Sequence, residues 1–263
     1  MNKNIGNPQL SVINLGDIVI DDFQVKIDFV EHKSDLYYRL EIPHPLKADQ
    51  INGYLCHVPF QFEDLVYKFY KIGLFPWFNV GESAALFFPP RRYLLSPHNI
   101  KVQRSLRPYF NQSKFRVTID HCFERVIKAC ASVKRKKESG TWISEEFIDI
   151  YTKLHKLGHA HSVEVWVDDE LIGGLYGIVT GKIFSGESMF SYRSNASKLA
   201  LISLGDYLSK RNFKWIDCQI KNEYLEQFGG IEMEAKDYFI EVINNTIEYG
   251  ENDYFAKGCN DFN

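Results

Sequence analysis

The stretch FSGESMFSYRSNASKLALISLGDYLSKRNFKWIDCQ, residues 184–219, decides the fold. Two short apolar segments flank one amphipathic helix, a pattern typical of a strand–helix–strand unit. Glu187 ends the first segment, and Asp217 and Gln219 end the second. Because residues two apart in a strand point to the same face, we expect Asp217 and Gln219 to project together.

The placement of these three polar residues predicts a site. If the two strands are adjacent and parallel, Glu187, Asp217 and Gln219 meet at one edge of the sheet, where a strand–helix–strand unit normally binds its ligand. A buried pair of strands with solvated ends is the alternative, and the pattern alone fits it equally well. The three side chains are therefore candidate site residues.

Alternating segments before this unit predict two hairpins. Residues 160–167 alternate, residues 171–179 return after an Asp-Asp-Glu turn, and residues 183–190 follow a Thr-Gly-Lys turn. A helix over 195–210, capped by Asn195, and a strand over 213–219 complete the segment. A strand meander that feeds a helix and a further strand is the order of an acetyltransferase-like fold. We therefore expect an α/β (α+β) protein with a mixed, acetyltransferase-like sheet.

Three helices are predicted earlier in the chain. One covers residues 63–72 and ends at Gly73, and a second is amphipathic over residues 119–130. The third begins after Ser144, a favourable N-cap, and ends at Gly158.

The expected domain organisation has three parts. Residues 1–45 form an extension with one or two strands and no assigned role, residues 46–100 a small N-terminal domain, and residues 101–263 the acetyltransferase-like catalytic domain. A length of 263 residues accommodates this division.

Composition indicates a soluble, cytoplasmic protein. The chain is 45% hydrophobic and 25% charged, without an apolar run long enough for a bilayer or a secretion signal. Its five cysteines show no C-x-x-C spacing, which favours reduced thiols over a disulfide or zinc framework. His159 and His161 lack a third ligand nearby, so no metal is expected. A monomer is expected.

A net charge of −3 requires that any nucleic acid bind to a local patch. Residues 100–116 interleave basic and aromatic side chains, which suits phosphates and stacked bases. The candidate cations are Arg104, Arg107, Lys114 and Arg116. A second basic run, residues 134–137, either adds phosphate contacts or is simply a solvated loop.

The segment before the central helix argues against coenzyme A. An acetyltransferase of this class needs a glycine-rich loop there, because its backbone N–H groups bind the pyrophosphate. Residues 191–198 read SYRSNASK, without glycine. A protein with these strands but without that loop requires another activated acyl donor, and no cofactor is expected.

Several motifs, in order, carry a family resemblance. The chain resembles the bacterial leucyl/phenylalanyl-tRNA–protein transferases from about Gly73 to Tyr238. The motifs are GLFPWF (73–78), GTWI (140–143), GHAHSVEVW (158–166), GGLYGI (173–178), GESMFS (186–191), NASK (195–198) and IDCQ (216–219).

The resemblance implies an aminoacyltransferase. Its donor would be a charged tRNA carrying Leu or Phe, and its acceptor a protein with N-terminal Arg or Lys, which the addition marks for degradation as an N-degron. The reaction is aminolysis of an ester that is already activated, so no ATP is needed. By resemblance Asp217 orients and polarises the amine, Gln219 receives or positions it, and Glu187 pairs with the acceptor's positive charge.

The same resemblance implies an apolar pocket for the donor side chain. Its expected lining residues are Trp142, Leu175, Met189, Leu201, Leu204, Leu208 and Ile216, and the aromatic segment containing Trp77 is a further candidate. Plain core packing is the alternative for each of them singly.

Some positions depart from the family pattern. Residues 53–60 replace a GGDL-like segment, Tyr224 and Gln227 stand where His and Ser are typical, and the basic segment is thinner. A divergent transferase with another donor or acceptor therefore remains an alternative. So does a non-catalytic module that binds N-termini or tRNA.

Overall fold

A computed structural model describes residues 12–31, 36–80, 83–110, 115–133, 143–250 and 255. The helices and strands, in chain order, are β1 (Ile13–Asn14), β2 (Ile18–Ile20), β3 (Gln24–Glu31), β4 (Leu36–Pro43), β5 (Tyr54–Pro59), α1 (Glu63–Lys71), β6 (Phe75–Val80), β7 (Ser83–Phe87), β8 (Arg91–Leu95), α2 (Arg107–Phe110), β9 (Arg116–Ile119), α3 (Phe123–Ser132), α4 (Glu145–Lys156), β10 (Ala160–Val167), β11 (Glu170–Thr180), β12 (Ile183–Ser191), α5 (Ala196–Ser209), β13 (Trp215–Asp217), α6 (Glu223–Glu226), β14 (Ile231–Glu234) and α7 (Ala235–Tyr249).

The largest sheet has seven strands, in the order β14-β8-β13-β12-β11-β10-β9. β12 and β13 pair in parallel, with Ser185 opposite Asp217, and α5 connects them. The other neighbours in this sheet are antiparallel. The strand–helix–strand unit and the α/β class are therefore confirmed, whereas the acetyltransferase-like assignment stays a prediction.

Helices cover both faces of this sheet. α5 packs with Leu175 and Phe184 on one face, and α3 and α4 pack with Tyr176 and Ile178 on the other. Because both faces are covered, every residue of β10 is buried. The site at the edge of β12 and β13 thus lies on a sheet that is packed on both faces.

Strands β1, β2, β3 and β4 form an antiparallel sheet in that order, which has more strands than the one or two expected. Its apolar face, including Ile18, Val25 and Ile27, packs in one cluster with side chains of α1 and α7. The buried ammonium of Lys68 on α1 lies 3.2 Å from the Asp17 carboxylate and donates to the Asp28 carbonyl oxygen at 2.8 Å.

β5, β7 and β6 form a third, antiparallel sheet. The next strand, β8, belongs to the range expected for the small N-terminal domain but pairs with β13 and β14 of the large sheet. The division at residue 100 therefore crosses a continuous sheet, and the domain boundaries stay a prediction.

Other local predictions met mixed outcomes. The two hairpins are confirmed. The helix α1 is also confirmed, and Gly73 follows it with a φ of 78°. The helix α4 is confirmed as well, and its N-cap Ser144 accepts a hydrogen bond from Phe147 N. The helix predicted over 119–130 was wrong at its start. Ile119 ends β9 and Asp120 adopts a left-handed φ of 57°, so α3 begins only at Phe123.

The strand predicted over 213–219 is shorter, Trp215–Asp217, and Gln219 has a φ of 56°, outside any strand. Asn195 precedes α5 as expected, yet it lies in the left-handed region and its side chain makes no capping hydrogen bond. In the described part of the chain, no helix has the length and apolar character needed to cross a membrane.

The two histidines considered as metal ligands both have other contacts. His161 hydrogen-bonds to the Asp120 carboxylate at 2.7 Å, and the ring of His159 stacks on Tyr67 at 3.7 Å between centroids. Among the described residues, no group of three or more His, Cys, Asp or Glu side chains is arranged to hold a metal ion.

Candidate active site

A cavity of about 800 Å³ opens where β13 ends beside β12. We call it the central cavity. Its walls come from β6, β11, β12, α5 and the segment that follows β13, and most of its surface is apolar. Its size is typical of pockets that bind small organic groups.

Six of the eight residues expected around an apolar pocket line the central cavity: Trp77, Leu175, Met189, Leu201, Leu204 and Ile216. Leu208 is not among the described lining residues. It lies one helical turn beyond Leu204 on α5 and is fully buried in the core. Trp142 lies outside the described residues.

Asp217 ends β13 and is completely buried. Arg92, on the neighbouring strand β8, donates to both carboxylate oxygens, from Nε at 2.7 Å and from Nη2 at 2.6 Å. The Tyr238 hydroxyl donates to Oδ2 at 2.8 Å, and Ser185 Oγ lies 3.5 Å from the same oxygen. Although burial by itself lowers the pKa of Arg92, the Asp217 carboxylate raises it above its ordinary value, so the guanidinium stays charged.

Gln219 is presented to the central cavity by a local turn. Its backbone N–H donates to Asp217 Oδ1 at 2.9 Å, and its carbonyl oxygen accepts from Tyr93 N at 3.1 Å. These two bonds hold the left-handed conformation, which is uncommon outside glycine. The side-chain Nε2 donates to Glu187 Oε1 at 3.3 Å. Glu187 and Gln219 therefore meet in the cavity wall, through a turn and not through strand alternation, whereas the Asp217 carboxylate does not line the cavity and contacts the backbone of Gln219. The catalytic roles of the three residues stay a prediction.

Glu187 lies in the middle of β12, in the wall of the central cavity, and is half-buried. The Tyr151 hydroxyl, from α4, donates to its Oε2 at 3.3 Å. The Tyr70 hydroxyl, from α1, hydrogen-bonds to the Tyr151 hydroxyl. Burial, reinforced by the charge of Asp217, raises the pKa of Glu187 to about 8, although the tyrosine hydrogen bonds and Arg92 act in the opposite direction.

Four residues of this site were missed from the sequence: Tyr70, Arg92, Tyr151 and Tyr238. Arg92 carried a usable signal, because a charged residue beside the apolar run Tyr93-Leu94-Leu95 of a buried strand requires a partner. The three tyrosines carried none, since aromatic residues at helical spacing are most simply explained as core.

Two departures from the family pattern lie beside the central cavity. Tyr224 lines it, and its hydroxyl is 2.9 Å from Ser197 Oγ on α5. Gln227 donates from Nε2 to the Tyr224 carbonyl and accepts from Gln103 Nε2 at 2.9 Å. Both side chains thus fix the segment that closes this side of the cavity.

The expected tRNA-binding residues are only partly described. Arg104 and Arg107 are exposed, before and at the start of α2. Arg116 is half-buried and its guanidinium lies over the ring of Trp166, 5.1 Å from the centroid. Lys114 lies outside the described residues, as does the run 134–137. The assignment of these cations to tRNA stays a prediction.

Comparison with known proteins gives consistent results. The family model described as leucyl/phenylalanyl-tRNA protein transferase matches residues 94–243. A leucyl/phenylalanyl-tRNA–protein transferase of Cellvibrio japonicus is 44% identical over 212 residues, which is 80% of this chain and 89% of the relative. One from Escherichia coli O1:K1 / APEC is 43% identical, over 72% of this chain and 80% of the relative.

A solved structure of L-PGS from Bacillus licheniformis gives a TM-score of only 0.39 at 11% identity, covering 59% of this chain and 64% of that one. A likeness at this level supports no conclusion about the fold or the function of this protein.

The family model and the named relatives identify this mixed α/β protein, which has an apolar cavity beside buried polar groups, as an aminoacyltransferase. The chain belongs to the leucyl/phenylalanyl-tRNA–protein transferase family. The resemblance seen in its motifs is therefore confirmed.

Proposed function

We propose that this protein transfers Leu or Phe from a charged tRNA to the N-terminal Arg or Lys of an acceptor protein. The observation that carries the proposal is the convergence of Glu187 and Gln219 on an apolar cavity, in a chain that belongs to this family. A cavity wall with both apolar and anionic groups suits a reaction between a hydrophobic acyl group and a cationic amine.

The reaction is aminolysis of the ester between the amino acid and the tRNA's terminal ribose. The acceptor amine attacks the carbonyl carbon, and the ribose hydroxyl leaves. Gln219 positions the amine, and Glu187 supplies negative charge for the acceptor's N-terminus. Asp217 acts through Gln219, because its carboxylate holds the backbone turn that presents this side chain. Holding both substrates in place contributes much of the rate.

The donor side chain occupies the apolar part of the central cavity. Leu175, Leu201, Leu204 and Ile216 offer only aliphatic surface there, as binding of Leu or Phe requires. A hydrophobic pocket distinguishes one methylene by about 1–3 kcal/mol. The lining therefore favours a class of apolar amino acids over one strictly selected member.

The body of the tRNA lies against the exposed arginines. Arg104 and Arg107 are available for phosphate contacts, and each such contact strengthens binding at low salt. A tRNA donor and protein acceptors imply a cytoplasmic enzyme that marks proteins for degradation as an N-degron signal. We propose that it acts as a monomer.

Transfer of labelled Leu or Phe from charged tRNA to a peptide beginning with Arg tests this function. A matched peptide beginning with acetylated Arg is the control, because it lacks the reactive amine. Transfer to the first peptide alone is the expected result. Binding of both substrates without transfer by folded protein would instead support a non-catalytic binding module.

A divergent specificity is the second candidate. It is favoured by Tyr224, which lines the cavity and is fixed by Ser197 and Gln227. A panel of tRNAs charged with Leu, Phe, Met, Val and Ala, offered with one acceptor, separates the two. A rate highest with an amino acid other than Leu or Phe would establish the second.

A further inference from the structure

The two carboxylates of the site differ in access. Asp217 accepts four hydrogen bonds within 2.9 Å, two of them from Arg92, and is 0% exposed, so no substrate atom can reach it in this conformation. Glu187 lines the central cavity and is half-buried. Of the described lining residues only Glu223 is also a carboxylate, and it is exposed to water. Glu187 is therefore the acidic group that a substrate amine meets inside the cavity.

The hydrogen bonds around Glu187 hold its carboxyl group in place. The Tyr151 hydroxyl donates to Glu187 Oε2 at 3.3 Å, and the Tyr70 hydroxyl hydrogen-bonds to the Tyr151 hydroxyl. Each tyrosine supplies one hydrogen, so Tyr70 can donate to Tyr151 while Tyr151 donates to an ionised Glu187. The tyrosine pair therefore favours the ionised carboxylate, which is the form that can accept a proton.

We propose that Glu187 takes the proton from the acceptor's α-ammonium group, and that Tyr151, supported by Tyr70, is a positioning residue that orients the Glu187 carboxylate. This inference rests on the proposed function. Gln219, whose Nε2 donates to Glu187, keeps its amide oxygen for the N–H groups of the same amine. The site thus combines a proton acceptor with an adjacent group that orients the nucleophile.

The step balances in atoms and charge. The ammonium gives one proton to the Glu187 carboxylate, and its lone pair then forms the C–N bond at the ester carbonyl carbon. The nitrogen of the tetrahedral intermediate loses a second proton, and the leaving ribose oxygen gains one as the C–O bond breaks. Protonated Glu187 releases its proton to water once the products have left. Ester and ammonium thus become amide, ribose hydroxyl and one released proton.

The electrostatic environment agrees with this geometry. Burial raises the pKa of Glu187 to about 8, close to the usual value of about 7.7–8.0 for a terminal α-amine. A general base is most effective when its pKa lies near the working pH. Four groups on the packed elements also affect this pKa: Asp217 raises it, whereas Tyr70, Tyr151 and Arg92 lower it.

The test is single-turnover transfer from charged tRNA to a saturating Arg-starting peptide, measured from pH 6 to 9 with wild type and Glu187→Gln. The variant keeps the shape of the side chain but cannot accept the proton. We expect a rate about 10²–10⁴ times lower at pH 6.5, and a defect at least about tenfold smaller at pH 9, where the amine is already neutral. Glu124→Gln, the same change at an exposed carboxylate on α3, is the control and leaves the profile unchanged.

If Glu187 merely binds positive charge, the ratio of wild-type to variant rate rises with pH, because Glu187 ionises as pH passes its pKa of about 8 while the acceptor's arginine remains charged. That result would overturn the inference and leave the proposed function intact, whereas absence of transfer by wild type would remove both. Tyr151→Phe is the second variant. The Tyr151 hydroxyl favours the ionised form of Glu187, so its removal raises the pKa of Glu187 and shifts the inflection of the rate–pH profile to higher pH. An unchanged inflection also overturns the inference.

Discussion

Arg92 and Asp217 form a buried, two-pronged ion pair, with N–O distances of 2.7 and 2.6 Å, in which neither side chain is more than 1% exposed. The Arg92 guanidinium also lies 4.8 Å from the ring centroid of Phe75 and 4.5 Å from that of Tyr238. The pair joins β8 to β13 and, through the Asp217 bond to Gln219 N, fixes the turn at the cavity. A polar core element thus controls the geometry of the site.

Removing the guanidinium should therefore destabilise the protein strongly. Arg92→Met leaves a buried carboxylate without its charge partner, a change that typically costs about 3–5 kcal/mol. Urea unfolding of wild type and variant measures the difference. Arg91 lies on the same strand as Arg92 and forms an exposed salt bridge to Glu234 on β14. Arg91→Met is therefore the control and should change stability by less than about 1 kcal/mol. Equal effects of the two would contradict the importance of the buried pair.

The raised pKa of Glu187 predicts a pH-dependent loss of stability. Its folded pKa, about 8, lies above the reference value of 4.5, so the protonated form is favoured in the folded protein. The contribution is full below pH 4.5 and disappears as pH rises through 8. Between pH 5 and 8.5 wild type should lose on the order of a few kcal/mol relative to Glu187→Gln, which does not titrate.

Unfolding free energies of both proteins, measured in urea at several pH values, give this difference directly. A difference between wild type and Glu187→Gln that does not change with pH would show that Glu187 titrates alike in both states.

Filling the central cavity should change donor preference. Met189 lines it and is half-buried, so Met189→Phe places a ring in the space available to the donor side chain. We expect transfer of Phe to fall more than transfer of Leu, by about 10–200-fold, which corresponds to about 1–3 kcal/mol in such pockets. Leu208→Met, a volume-conserving change in the core beyond the cavity, should leave the Phe/Leu ratio unchanged. A parallel fall for both donors would place the side chain elsewhere.

Lys68 should anchor the N-terminal sheet. Its buried ammonium donates to Asp64 at 2.7 Å and to the Asp28 carbonyl at 2.8 Å, so Lys68→Met removes two charge-assisted hydrogen bonds. We expect a loss of about 1.5–3 kcal/mol and faster proteolysis within residues 13–43. Lys26→Met removes an exposed pair at 4.0 Å from Glu41 and should cost less than about 1 kcal/mol. Uniform proteolysis along the chain in both variants would argue against local anchoring.

The arginines before and in α2 predict a salt effect. Arg104→Gln and Arg107→Gln should each weaken tRNA binding and reduce the slope of log affinity against log salt by about 0.7–0.9 per lost phosphate contact. Filter binding over a range of salt concentrations measures it. Arg39→Gln, on the N-terminal sheet, is the control. An unchanged slope in both α2-region variants would place the tRNA on another surface.

Sequence reasoning succeeded where a pattern has one physical explanation. The hairpins between residues 160 and 190 and the parallel return to β13 follow from alternating segments, turn residues and one intervening helix. It failed at Ile119 and Gln219. Asp120, directly after Ile119, and Gln219 itself adopt the left-handed conformation although neither is a glycine. Neither propensity nor hydrophobic spacing reports such a conformation.

The sequence predicted only part of the site, because some of its contacts join segments that are far apart in the chain. Glu187 and Asp217 stand on neighbouring strands, and Gln219 follows Asp217 by two residues, so the topology brings them close together. Tyr70 and Tyr151, in contrast, meet only because α1 and α4 pack together beside Glu187. Tertiary contacts between helices far apart in the chain leave no local signal. The sequence also could not place Leu208, because an apolar residue fits a cavity wall and a core equally well. The packing places it in the core.

The matched family segment begins at residue 94, yet Tyr70 and Arg92 precede it. A shortened protein cut at that point would present Asp217 as a lone buried anion and would lose one hydroxyl behind Glu187. Engineered versions meant to keep the chemistry must therefore retain α1 and β8, however dispensable the upstream region looks in alignments of the segment alone.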